Sequence, residues 1–240
     1  MRRSPLVLTA AVLAAVLVAT PACGAVVVGE WGMHRVDGVV HDAVGNTDLR
    51  LVGSWQDVEG VVGRAVRATF KGQASFATAA HSADLNPGTS QFAVAAYLRA
   101  DTVPGGGHYS PNVVQKGRYT DSAQWKMQLI HGSSGTEAEC RFAGTERDRE
   151  VRDRAGIRLD DGSWHRVVCW RKPHTFGITV DGSTTTIAGT LGAIANGRSL
   201  HVGSKGPRAG VTDQFQGVLD CIAYVEGRHA RAVARSRVPC

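Results

Sequence analysis

The chain has 240 residues, 43% of them hydrophobic and 20% charged, a globular composition that excludes a disordered chain. Its 29 glycines show no Gly-x-y period, which excludes collagen, and glycine in that amount disfavours a helical bundle because it weakens helix interiors. The formal charge is +6; residues 1–22 hold Arg2 and Arg3 of the 27 basic residues and none of the 21 acidic ones, so the rest carries +4, too mild to indicate nucleic acid.

Arg2 and Arg3 precede an apolar run of fifteen residues from Leu6 to Thr20, then Pro21 and Ala22. That is the length of a secretory h-region and falls short of the roughly 20 residues that span a bilayer, so residues 1–22 are expected to be a signal peptide. Two products are open. A soluble chain is cut after Ala22 or Gly24; a lipoprotein is cut before Cys23, whose lipid is then its one membrane attachment. Thr20 stands where lipoprotein signals have Leu, which favours the soluble product. No later run is apolar over roughly 18 residues, so no transmembrane helix is expected.

From there the pattern is β. Phe92, Val94, Ala96 and Leu98 alternate with Ala93, Ala95, Tyr97 and Arg99. Trp125, Met127 and Leu129 alternate with Lys126 and Gln128, and Phe176, Ile178 and Val180 with Gly177 and Thr179. Phe215, Leu219 and Cys221 are expected on one face of the last run, 215–225. Period two marks half-buried strands. Asp181-Gly182 between two such runs predicts a two-residue hairpin, since Gly tolerates the positive φ of a primed turn. Turn clusters separate the other runs at 86–88, 104–107 and 160–162. No helix is expected. Many strands without βαβ alternation predict an all-β, antiparallel two-sheet sandwich, undivided over residues 26–226.

Cys140, Cys169, Cys221 and Cys240 remain once Cys23 is set aside, none at C-x-x-C spacing. Disulfides in an oxidising compartment are expected, and an extracellular or cell-surface location with them. Four cysteines allow three connectivities. We expect Cys140–Cys169 and Cys221–Cys240, which join nearest neighbours in sequence.

Five segments carry a resemblance: Gly38-Val39-Val40-His41-Asp42 running into Gly45-Asn46; Gly60 to Phe70 ending in Lys71-Gly72; Val113-Val114-Gln115-Lys116-Gly117; Trp164-His165-Arg166-Val167; and Gly217-Val218-Leu219-Asp220. In order and spacing they resemble the laminin G-like, concanavalin A-like lectin/glucanase superfamily over residues 28–225. The resemblance implies a jelly-roll, and a fold more than a reaction. It also implies calcium at one rim, held by loop carboxylates and carbonyls. Asp101, Asp121, Asp160, Asp161 and Asp213 lie in predicted loops, where Asp is also an ordinary turn residue.

Trp164 is expected to anchor the core, His165 to be a hydrogen-bonded structural imidazole, and Asp220 to accept loop amides. Glu146-Arg147-Asp148-Arg149-Glu150 has the Glu-x-Asp-x-Glu spacing of the glucanase branch, where paired carboxylates serve as nucleophile and acid/base. Here arginines replace the apolar residues between them, so a solvated, non-catalytic loop is expected. Residues 227–240 read as a basic, solvated tail closed by a disulfide.

These readings favour a non-enzymatic, lectin-like module for an extracellular glycan or cell-wall polymer. A glycan-cleaving hydrolase and a protein-binding adhesion domain are the alternatives. Ligand-binding residues are expected on rim loops, at Tyr109 beside Gly105-Gly106-Gly107 and at Tyr119, because a tyrosine offers a flat apolar face and a hydroxyl.

Overall fold

The computed structural model describes residues 24–240 except 70, 72, 102–109, 122, 133–134, 154–155, 209 and 211–212. Residues 1–22, expected to be a signal peptide, and Cys23 lie outside these.

Period-two runs give two antiparallel eight-stranded sheets. The first runs β14 (Ser183–Ala188), β13 (Thr175–Val180), β12 (His165–Lys172), β7 (Phe92–Ala100), β16 (Gly217–Glu226), β5 (Arg64–Thr69) and β4 (Ser54–Glu59), with β1 (Val26–Trp31) also on β16. The second runs β11 (Asp148–Arg152), β10 (Gly135–Ala143), β9 (Gln124–Gly132), β8 (Asn112–Lys116), β15 (Leu200–Val202), β6 (Phe76–Ala79), β3 (Leu49–Val52) and β2 (Val39–Val40). At the β13–β14 hairpin Val180 pairs with Ser183, and Asp181 and Gly182 both take positive φ (47° and 100°), the primed turn that the dipeptide predicts.

The sheets meet through the inward residues of their strands. Phe92 of β7 meets Phe142 of β10 edge to face at 5.7 Å, and Tyr224 of β16 stacks on Trp125 of β9 at 5.2 Å. Cys140 of β10 is bonded to Cys169 of β12, so this disulfide also joins the sheets across the core. The second bond joins Cys221 to Cys240.

Four expectations are corrected. First, Leu219 faces the core, whereas Cys221 faces away from it. The β16–β7 register skips Asp220, a bulge that inserts one residue and turns Cys221 to the opposite face. Second, the tail folds as α1 (Ala230–Arg237) over the outer face of the first sheet. Ala230, Ala234 and Val238 recur every four residues and bury against Ala93, Ala95, Val168, Trp170, Ala223 and Val225. A short 3-10 turn, Ala83–Leu85, is also present. Third, Trp164 is only half-buried and lies outside the core. It precedes His165 and so shares the outward parity of Tyr97, on which it stacks at 5.5 Å, with the Arg99 guanidinium 5.2 Å away. Fourth, Asp148–Arg152 is an edge strand and not a loop. It pairs with β10 and buries Val151 opposite Cys140, while Asp148 and Glu150 stay exposed.

The segments behind the resemblance act as ties. The Asp42 carboxylate accepts the backbone N–H of Glu30, Val44, Gly45 and Thr47. Asp220 Oδ2 accepts the N–H groups of Val61 and Val62, and burial raises the Asp220 pKa against them. Lys116 is buried, and its Nζ donates to the carbonyls of Asn196 (3.0 Å) and Arg198 (3.0 Å).

His165 lies between two carboxylates, Nδ1 2.7 Å from Asp181 and Nε2 3.0 Å from Asp161. Both ring nitrogens serve as donors there, which describes an imidazolium and not a metal ligand. The Asp181 contact raises its pKa over the opposing effect of burial, and Asp161 adds to it. The contribution to stability is therefore complete below the ordinary histidine value of 6.5 and is lost as pH rises through the folded-state value. In denaturant titrations, the stability gap between wild type and His165→Gln should shrink as pH rises above neutrality; a gap that widens contradicts this.

Candidate functional site

The outer face of the second sheet has an unusual character. Inter-strand register aligns Glu150, Arg141, Lys126, Gln115, His201, Thr78 and Arg50 in one row across seven strands. Outward positions of an antiparallel sheet are ordinarily solvated. Here Gln115, Gln124, Lys126, Gln128, Glu139 and Arg141 are all buried.

Polar groups removed from water need partners, and a network supplies most of them. Arg141 contacts Gln124, Asp148 (3.0 Å) and Glu150 (3.2 Å). Glu139 is held by Gln128 and Arg152. Among the described residues Gln128 Oε1 has no hydrogen-bond partner.

Between this face and the loops above it lies a pocket of about 390 Å³, lined in part by Gln115, Tyr119, Lys126, Lys205 and Asp213. Lys205 pairs with Asp213. The Lys126 pKa is lowered to about 7, chiefly by burial; Lys205 and Arg141 act in the same direction, and Glu139 and Asp213 oppose them. Burial, with Arg118 nearby, also lowers the His201 pKa.

Tyr119 stands at the pocket rim. Its side chain is 71% exposed, and the Arg141 guanidinium lies 4.2 Å from the ring centre. A cation against one face holds the ring and leaves an apolar surface in water. Tyr109 and its glycine run lie outside the described residues. Tyr119 is therefore the one expected ligand residue that can be placed, and the structure puts it beside a sheet-face pocket as well as on a loop.

The loop aspartates do not fit a calcium site. Each has a protein donor: Asp101 from Arg67, Asp121 from Arg198, Asp160 from Arg158, Asp161 from His165 and Asp213 from Lys205. Among the described residues no three His, Cys, Asp or Glu side chains are grouped as metal ligands. The Asp148 and Glu150 carboxylates are likewise engaged by Arg141, and Glu146 is exposed in the preceding turn.

The sequence profile of the concanavalin A-like lectin/glucanases superfamily matches residues 70–227. The chain belongs to this superfamily. No curated protein matches its sequence. Among solved structures, this lectin/glucanase-superfamily chain is similar to the binding domain of Paraclostridial Mosquitocidal Protein 1, at 15% identity and a TM-score of 0.66, covering 87% of this chain and 51% of that one. It is also similar to domain 4 of AbnA, a GH43 extracellular arabinanase from Geobacillus stearothermophilus solved with arabinotriose (13% identity, TM-score 0.58, 85% and 93% covered). A third is the binding domain of botulinum neurotoxin DC in complex with rat synaptotagmin II (12%, 0.56, 83% and 46%). The chain spans about half the length of these two toxin domains. At such identities the likeness establishes the fold.

Proposed function

We propose that this chain is a non-enzymatic glycan-binding module that works outside the cell, with its ligand on the outer face of the second sheet. The carrying observation is Tyr119, largely exposed and backed by Arg141 above a polar pocket. A sugar ring has apolar C–H faces and a polar rim, and this pairing of a bare aromatic face with buried polar groups suits both. Domain 4 of the arabinanase, solved with arabinotriose, supports a sugar on this architecture. Residues 1–22 direct export, and the two disulfides form in the oxidising compartment that follows. Residues 26–226, the sandwich, carry the ligand site, and 227–240 close its back.

The test is retention on a panel of immobilised glycans. Tyr119→Ala should lose roughly tenfold in affinity, about 1.4 kcal/mol, with little change in melting temperature because the ring is exposed. Unchanged retention on every glycan would place the site elsewhere. On soluble glycans no reducing sugar should appear. Turnover that falls about 100-fold in Glu150→Gln would show a hydrolase instead.

A further inference from the structure

We infer that the ligand of this pocket is an acidic glycan, and that its carboxylate pairs with Lys126. The inference rests on the reading of the second sheet's outer face as the glycan-binding surface.

Lys126 sits at the centre of the cross-strand row, opposite Arg141 on one side and Gln115 on the other. It is 5% exposed and lines the pocket, yet its ammonium makes no hydrogen bond among the described residues. An ammonium whose stem is buried and whose head opens only onto the pocket has no protein acceptor there, and a cation in that state is poised for an anion that enters the pocket. The carboxylates nearby are already committed, and Gln128 Oε1, an open acceptor on this face, is neutral and makes no hydrogen bond to the ammonium. Glu139 is held by Arg152 and Gln128, Asp213 by Lys205, and Asp148 and Glu150 by Arg141. Gln124 is spent on Gly117 and Arg141.

The electrostatic balance of the pocket points the same way. Arg118, Lys126, Lys205 and Arg208 line it against the single carboxylate of Asp213. One buried ammonium beside one bare aromatic ring matches one carboxylate beside one sugar ring, the chemistry of a uronic acid residue. A neutral glycan would leave the Lys126 ammonium uncompensated under the bound chain.

The inference has a pH signature. The charged groups around Lys126 and its pocket are Glu139 and Arg141 from β10, Lys205, Arg208 and Asp213 from the loop after β15, and Arg118 from the turn before β9; His201 of β15 stands beyond Gln115 in the same row. The arginines keep their charge throughout. Lys126 itself titrates at about 7 in the free protein, and a bound carboxylate holds its proton. Binding of an acidic glycan then takes up a proton above neutrality. Affinity should fall roughly tenfold between about pH 6 and about pH 8.

The experiment uses the exported protein on beads bearing polygalacturonate or alginate, and on the same polymers after carboxyl reduction to neutral sugars. We expect retention on an acidic polymer, loss of roughly tenfold or more on its reduced form, and a similar loss in Lys126→Met. Lys126→Arg, charged at every pH used, should retain the polymer and flatten the pH profile. The wild-type pH profile keeps the test sharp even where Lys126→Met folds poorly. Equal retention of acidic and reduced polymers, or a flat wild-type profile, overturns the carboxylate assignment; if Tyr119→Ala still weakens binding, the glycan reading survives it. Retention of neither polymer overturns the inference, and a silent Tyr119→Ala across the neutral panel takes the glycan reading with it. Displacement by inorganic phosphate as readily as by oligogalacturonate would show a general anion site in place of a carboxylated sugar.

Discussion

Replacing Cys140 and Cys169 together by alanine should destabilise the fold by about 2–5 kcal/mol, the usual range for a native disulfide in an exported domain. For a chain of this size that corresponds to a fall of roughly 5–15 °C in melting temperature. The bond closes a 29-residue separation and both cysteines are buried, so its loss loosens the unfolded chain and also releases a cross-link between β10 in the second sheet and β12 in the first. Reductant should lower the wild-type midpoint and leave the double variant's shift much smaller, since only Cys221–Cys240 then remains to be cut. Coincident thermal transitions for wild type and the double variant would show that the sheets hold together without it.

Ala234→Asp should be nearly as damaging, at about 3 kcal/mol or more, because it buries an unpaired carboxylate. Ala234 is fully buried where α1 lies on β7, β12 and β16. The substitution leaves the Cys221–Cys240 bond in place, so it isolates the packing of the helix from the covalent tie. Removing residues 228–240 loses both and uncovers Trp170, Val168 and Val225; the expected result is a chain that aggregates on expression. If Ala234→Asp melts with wild type, the segment is a solvated tail after all.

The difference between that helix and a solvated tail was hidden by composition. Arg228, Arg231, Arg235 and Arg237 dominate the segment and suggest solvent. Ala230 and Ala234 are too small to announce an apolar stripe, yet small residues are what a helix needs to lie close over Ala93, Ala95 and Ala223. The strands were legible because their inward residues are large and strictly alternate: Trp125, Met127 and Leu129 face the core as the period requires. The hairpin at Asp181-Gly182 was legible because the turn chemistry is local. The bulge at Asp220 was not, since a single inserted residue leaves no mark in an apolar run and reverses every face beyond it.

The site was half legible. Tyr119 could be named from its chemistry. Lys126 and Gln128 stood out only as the polar half of an alternation, and solvent is the ordinary reason for that half. Their burial depends on neighbours far away in sequence: Arg141 and Glu139 on β10, and Lys205 and Asp213 in the loop that covers them. The signal that was available is the choice of long polar side chains on adjacent runs, Gln124, Lys126 and Gln128 against Glu137, Glu139 and Arg141. Such chains can reach diagonal as well as directly opposite neighbours across a ladder.

Backbone amide shifts of the labelled chain, recorded with and without an oligosaccharide from the best-retained glycan, locate the bound sugar on the sandwich. The shifts should cluster at 118–119, 124–128 and 205–208, around the pocket under Tyr119. Shifts confined to α1 and the outer face of the first sheet, or to the turn at Asp160–Asp161, would contradict it.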